Sequence, residues 1–295
     1  MMTAPRADAV NGPGYHRPLH DGRAGRAAVR ARALDPAEVR VSEVPRVDVL
    51  GVPVSATTMD GAVATVEGWI QDRDPHFATF TGVHGVMESQ RDPELLRIHQ
   101  RAGMVAPDGM PMVWCSKRAG VTDVTRVYGP DFMLAMSEQA ARKGYRSFYY
   151  GGNEGVAEQL AASLQERFPG LEVAGTWCPP FRPLTEAEQD EVVEMIRASG
   201  ADMVWVGLST PKQERWMDAF VGRLGVPALL GVGAAFDIHS GNLRQAPPFL
   251  QRHGLEWAYR LAVEPRRLWR RYLSNNPRFV WAILRRKPRL LPPRP

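Results

Sequence analysis

Cysteine is nearly absent, with only Cys115 and Cys178 in a chain of 295 residues. The two stand far apart in largely apolar surroundings and without metal-ligand spacing, so neither a disulfide framework nor a zinc site is encoded. Two buried, unpaired thiols in a reducing compartment are expected. Long hydrophobic runs are missing too. The longest strongly apolar stretch, residues 226–238, is short and glycine-rich, whereas a membrane-crossing helix needs about 20 apolar residues. No transmembrane helix is expected, and the arginine-containing N-terminus lacks the continuous apolar core of a secretory signal. The seven histidines form no ligand cluster, and Asp237 with His239 makes at best half a site. No serine sits in a G-x-S-x-G elbow. The acid-x-acid pair Asp72-Arg73-Asp74 has the form that holds divalent cations against phosphates. It follows a helix and precedes a strand, which is the wrong edge of a parallel sheet, so it reads as a solvated loop and no metal or other cofactor is expected.

What is present is a globular composition. A hydrophobic content of 44% over this length suits one large α/β domain with appendages. The net charge of +5 hides a division. Residues 242–295 hold 13 Lys and Arg against two acids, whereas the other 241 residues hold 24 against 30. The basicity therefore belongs to the tail. Residues 1–46 are rich in Arg, Ala, Gly and Pro with little periodicity, which predicts a flexible extension. The expected organisation is this extension, a core over 47–241, and a basic, aromatic-rich appendage over 242–295.

From Val47 onward, apolar strand patterns alternate with helical ones. Strands are expected at 47–55, 76–82, 146–152, 171–177, 202–209 and 227–238. Helices are expected at 58–71, 93–102, 131–143, 154–168, 186–199 and 212–224. In the helix at 154–168, Val156, Leu160, Leu164 and Phe168 share one face. This rhythm implies a Rossmann-like α/β fold with a mostly parallel sheet and helices on both faces. Ligands then bind beyond the carboxyl ends of the strands, which selects the loops at 81–84, 151–153, 209–213 and 233–237.

Gly151-Gly152-Asn153 lets backbone approach a ligand, and Asn153 as N-cap would open a helix whose amides suit a phosphate; an ordinary strand-to-helix turn explains the same residues. The run GVGAAF at 231–236 has Phe where a dinucleotide fingerprint needs its third glycine, which argues against an NAD site. Thr210, Pro211 and Gln213 read as a capping box that would also suit a diphosphate or sugar hydroxyls. Asp108, the only charged residue in VAPDGMPMVW (105–114), lies between Pro107 and Gly109. That tripeptide is good turn chemistry whatever its role; as chemistry, it would present one carboxylate as a general base. His84 could face a ligand or serve structure.

In the tail, LEWAYRLAVEPRRLWRRYL (255–273) mixes Arg260, Arg266, Arg267, Arg270 and Arg271 with Trp257, Tyr259, Trp269 and Tyr272. Pro265 divides it into two helices. Arginines above Trp and Tyr describe a helix on an anionic membrane surface. The alternatives are packing on the chain's own core or nucleic-acid binding, the last disfavoured because the core adds no basic patch.

Seven segments in order, TGVHGVMESQRDPEL, APDGMPMVW, TRVYGPDFM, FYYGGNEGVAE, VGLSTPKQERW, GVGAAFDIHSG and GLEWAYRLAVEPRRLWRRY, resemble the WecB/TagA/CpsF glycosyltransferases, glycosyltransferase family 26. The resemblance covers about residues 47–275. It implies a metal-independent, inverting, peripheral membrane enzyme on the inner, cytoplasmic face of the cell membrane. Such an enzyme moves N-acetylmannosamine or a related hexose from a UDP-sugar to a polyprenyl-diphosphate-linked saccharide in surface or extracellular polysaccharide synthesis. Carried over, it makes Asp108 the general base, Arg126 the binder of the leaving diphosphate, and Gln213 and Thr81 substrate contacts. His84 is a further candidate substrate contact, and Gly151, Gly152, Asn153, Gly233 and Asp237 are candidates for the nucleotide. Where family members often carry an asparagine after that threonine, this chain reads Gly82-Val83-His84. A homo-oligomer stays open. The rival functions are another nucleotide-sugar enzyme, such as an epimerase, and a non-catalytic membrane-binding adaptor.

Overall fold

The computed structural model describes residues 44–293, so the expected flexible extension lies almost wholly outside the described residues. The central element is a six-stranded, all-parallel sheet in the order β4-β3-β8-β7-β5-β6. Its strands are β3 (His76–Thr81), β4 (Met104–Pro107), β5 (Arg146–Gly151), β6 (Glu172–Trp177), β7 (Met203–Gly207) and β8 (Ala228–Gly231). Side chains alternate between two cores with the period of the pleat. Phe77, Phe148, Tyr150, Val204, Val206 and Leu229 face one core. Ala78, Phe80, Tyr149, Met203, Trp205 and Leu230 face the other. The second core is closed by α1 (Met59–Asp72), α5 (Gly129–Lys143) and α6 (Val156–Arg167). The first is closed by α2 (Val83–Ser89), α3 (Pro93–Arg101), α4 (Met110–Arg118), α7 (Glu186–Ser199) and α8 (Lys212–Phe220). Helices on both faces of a parallel sheet are the architecture expected from the alternating pattern.

Local chemistry sets the helix ends. Thr58 caps α1 by accepting from the Gly61 amide at 3.1 Å, and Asp92 caps α3 immediately before Pro93. At α7, Thr185 and Glu188 form a reciprocal capping box. Thr185→Ala should therefore cost about 0.5–2 kcal/mol, to be measured by urea unfolding, because an orphan helix amide loses its acceptor.

Three sequence expectations are corrected. Residues 47–55 are a hairpin, β1 (Arg46–Val49) and β2 (Val52–Ser55), with Leu50 and Gly51 in the turn at φ 55° and 92°. The run 227–238 is a strand only as far as Gly231, and Ala235–His239 then form the short helix α9. Thr210 does not cap α8: Pro211 occupies the N-cap position, and the Thr210 hydroxyl donates to Glu214 Oε1 at 2.8 Å.

After the sheet come α10 (Pro248–Arg252), α11 (Glu256–Val263) and α12 (Pro265–Arg285), with the break at Pro265 as expected. The chain then returns to the hairpin, where β9 (Arg289–Leu290) pairs antiparallel with β1. Asp48 on β1, 5% exposed, anchors this return. Its Oδ2 accepts from Arg286 at 2.8 Å and from Arg289 at 3.2 Å, and its Oδ1 accepts from the Gly51 amide. Among the described residues no helix is long and apolar enough to cross a membrane.

Candidate active site

The carboxyl ends of all six parallel strands open onto one cavity of about 1600 Å³. Typical small-molecule sites occupy roughly 300–1,000 Å³, so this one can hold two sizeable ligands side by side. The four loops selected from sequence all reach it, joined by the turn at Asp108, by residues 179–184, and by α11 and α12.

Asp108 follows β4, and its amide bonds to the Thr81 and Ala106 carbonyls at 3.2 and 2.9 Å. Gly109, at φ 114°, turns the chain into α4. The turn is braced by Gly82, where a Cβ would come within 2.5 Å of the Asp108 carbonyl oxygen. Gly82→Ala should cost about 1–3 kcal/mol and separate the two loops, to be measured by urea unfolding. The Asp108 carboxyl opens to the cavity but is shielded from bulk water. Burial pushes it up to about 7; Arg126 and Arg260 oppose the shift, while Glu256 and Asp131 add to it.

Arg126 is brought beside this turn because Val127 donates to the Pro107 carbonyl at 3.1 Å. Its guanidinium lies 4.0 Å above the Tyr128 ring, bonds to Gln251 Oε1 at 2.8 Å, and pairs with Glu256 from α11. Both ends of that pair are shielded, at 13% and 17% side-chain exposure. Glu256 was not singled out in the sequence, and no local signal marks it: it lies 130 positions from its partner.

Gln213 is 4% exposed. Its amide nitrogen donates to Gly231 O at 3.1 Å and to Glu214 Oε1 at 3.2 Å. With both amide hydrogens used, its Oε1 is a buried acceptor without a partner among the described residues. It sits beside Gly233, whose missing Cβ would lie 3.3 Å away. Glu214, also buried, is held above the ordinary carboxyl range by burial.

Thr81 reaches the cavity at the end of β3, but its hydroxyl is turned inward, 3.1 Å from both Thr79 Oγ1 and His99 Nε2. His99 Nδ1 lies 3.0 Å from the Leu95 carbonyl. A carbonyl only accepts, so Nδ1 carries the proton and Nε2 accepts from Thr81. Burial lowers the His99 pKa to about 4, which keeps the ring neutral. His84 lines the cavity and is pushed down to about 3 by burial, with Arg271 and Arg91 adding to the shift. It lies 3.4 Å from Asn275 of α12.

Gly152, Asn153, Gly233 and Asp237 line the cavity together. Gly151 does not. It packs on β7, where its Cβ would come within 2.7 Å of Gly207. Asn153 is not the N-cap of α6, since Gly155, in the left-handed region, holds that position. In the tail, Arg260 and Arg271 line the cavity, while Arg266, Trp269 and Arg270 are exposed; Arg267 lies on α12. Among the described residues no group of three or more His, Cys, Asp or Glu converges as a metal-ligand set.

A family model described as "Glycosyl transferase WecG/TagA/CpsF family" matches residues 47–292. Among curated proteins, an N-acetylglucosaminyldiphosphoundecaprenol N-acetyl-beta-D-mannosaminyltransferase of Bacillus spizizenii is 34% identical over 198 residues, 67% of this chain and 74% of that one. Proteins of the same description from Bacillus subtilis strain 168 and Staphylococcus aureus strain NCTC 8325 are also similar. The first is 27% identical over 66% of this chain and 73% of its own length. The second is 25% identical over 83% of this chain and 95% of its own length.

Proposed function

From membership of the WecG/TagA/CpsF glycosyl transferase family, to which this chain belongs, we propose that it is an inverting, metal-independent glycosyltransferase. It moves an N-acetylmannosamine-like or other hexose from a UDP-sugar to a saccharide carried on a polyprenyl diphosphate, at the inner face of the cell membrane. The observation that carries this reading is the pairing of Asp108, a carboxyl shifted to about 7, with a shielded arginine at its side.

Inversion needs one displacement. Asp108 removes the proton from the acceptor hydroxyl while that oxygen bonds to the anomeric carbon and the bond to the diphosphate oxygen breaks on the opposite face. The proton then passes to solvent. A base of this kind contributes about 10²–10⁴ in rate. Arg126 neutralises the charge that develops on the leaving UDP, a task for which a planar, permanently charged guanidinium is suited. His84 and Gln213 are assigned to substrate, with Thr81 shaping that wall through its inward hydroxyl, and Gly151, Gly152, Asn153, Gly233 and Asp237 to the nucleotide. Of these, Gly151 acts through the packing of its loop. The acceptor's prenyl chain has an apolar exit between α4 and α12, where Trp114, Val280 and Leu284 line the cavity and are each more than half exposed. Arg266, Arg270 and Trp269, exposed on the same helix as that exit, meet anionic headgroups; Arg267 belongs to that helix too, its side chain outside the described residues.

The test is product formation from a panel of UDP-hexoses with a short polyprenyl-diphosphate N-acetylglucosamine acceptor, with and without EDTA. One inverted glycosidic product, undiminished by EDTA, is expected. UDP-sugar turnover without acceptor would point instead to an epimerase, and no turnover with any donor to an adaptor.

A further inference from the structure

The loop between β6 and α7, Cys178 to Leu184, reads CPPFRPL. Both its ends are held. Cys178 Sγ lies 3.2 Å from the Gly152 carbonyl, and Arg182 grips both carboxylate oxygens of Glu188 at 2.7 and 2.6 Å, within the Thr185–Glu188 capping box. Pro179, Pro180 and Pro183 each fix φ and strip the segment of conformational freedom. Between these restraints stands Phe181, 91% exposed and lining the cavity. No other large apolar side chain among the described residues is so bare; Leu284 follows at 69%. A single exposed phenylalanine is ordinary on a surface. One set in a proline-stiffened loop at the rim of a ligand cavity is a ring presented ready to stack.

The charged group around Asp108, with Arg126, Glu256 and Arg260, comes from the β4 end and α11. Aromatic groups come from β5 and α8 as well as from this loop: Tyr150, Trp216 and Phe220 line the cavity and stack in sequence, with centroids 4.1 and 4.9 Å apart. Strand order puts β6 five strands away from β4, or about 24 Å at the usual spacing. Phe181 stands on the loop after β6, whose start is held at Gly152, away from the edge strand that presents Asp108. It can reach the opposite end of the same donor.

We propose that Phe181 is a donor-binding residue that caps the uracil of the nucleotide donor by ring stacking, with the loop at 178–184 forming the base subsite. The assignment rests on the UDP-sugar reading above. Glycines and polar groups at 152–153 and 233–237 lie between the two ends of the cavity, where the ribose and diphosphate of an extended donor pass. A base stacked on an aromatic side chain contributes about 1–3 kcal/mol, which corresponds to about a 5- to 150-fold change in affinity.

The experiment is calorimetric titration of the full chain with UDP and with UMP, for wild type, Phe181→Ala and Phe181→Trp, together with thermal unfolding and KM for donor and acceptor. Phe181→Ala is expected to weaken UDP and UMP by the same factor, about 5- to 150-fold. Donor KM should rise in parallel, acceptor KM should hold, and the melting temperature should not move, because the side chain buries almost nothing. Phe181→Trp should bind as tightly as wild type. Unchanged nucleotide affinity in Phe181→Ala, or a loss confined to the acceptor KM, overturns the proposal while leaving the donor reading in place. A wild-type chain that binds neither UDP nor UMP removes the donor reading, and this subsite with it.

Discussion

Asp108→Asn leaves a folded protein whose kcat is lower by about 10²–10⁴, the usual contribution of a general base. Steady-state turnover at saturating donor and acceptor checks it, and activity within a few-fold of wild type would remove Asp108 from the chemistry. The same residue sets the pH dependence. With the carboxyl pushed up to about 7 by burial, the wild-type rate climbs as pH rises through that value, because the ionised form is the base. Stability runs the other way. The folded chain keeps a proton on Asp108 up to about pH 7, whereas the unfolded chain releases it from about pH 4 upward, the ordinary carboxyl range. Wild-type stability therefore falls across that window, whereas the asparagine variant lacks this loss. Urea unfolding of both proteins at pH 5 and pH 8 measures the difference, with the variant gaining on the wild type at the higher pH. A group that costs stability where it is active marks function rather than packing.

Arg126→Ala should lower kcat/KM by about 10²–10³, the range found when one charge-stabilising donor is removed from a reaction centre. Two effects contribute. The leaving diphosphate loses its cation, and Glu256 loses its partner in a shielded setting. Glu256→Gln separates them, because it retains Arg126 while removing the competing carboxylate. Glu256 raises the Asp108 pKa, so the acid limb of kcat/KM should move to lower pH in this variant. Since Glu256 lies on α11, that shift would also show the tail acting on the reaction centre. An acid limb that stays in place would mean Glu256 has no electrostatic reach to Asp108.

Much of this architecture was legible because parallel strands buried on both faces write short apolar runs between helical patterns. Residues 186–199 could be read as α7 to the residue, and the rule that ligands sit beyond strand carboxyl ends selected four of the loops that meet at the cavity. The failures have physical causes. Residues 47–55 hide a hairpin because Leu50, a poor residue for positive φ, stands before Gly51 in the first turn position, where Asn, Asp or Gly would complete the signal. GVGAAFDI is apolar but for Asp237, and a short apolar run does not distinguish strand from helix. Asn153 has N-cap chemistry, but Gly155 holds the N-cap position. Arg260 looks from composition like one more surface arginine. Only the fold turns it into the cavity, where Glu256 from the next helical turn meets Arg126. Pairings across 130 positions leave no local trace.

The return of the chain to its own beginning also sets a timetable. Residues 289–290 hydrogen-bond to residues 47–48, and the arginines flanking that return close on Asp48. On the ribosome, the six catalytic-edge loops are complete long before this clasp can form, because contacts so distant in sequence are the last available to a growing chain. Until then, α12 lacks the anchor at its carboxyl end, and the wall rests on nearer contacts, Arg126 with Glu256 and Arg91 with Asn275. A nascent chain can therefore carry every residue assigned to chemistry before the last fastening of the wall around them, at residues 289–290, is made.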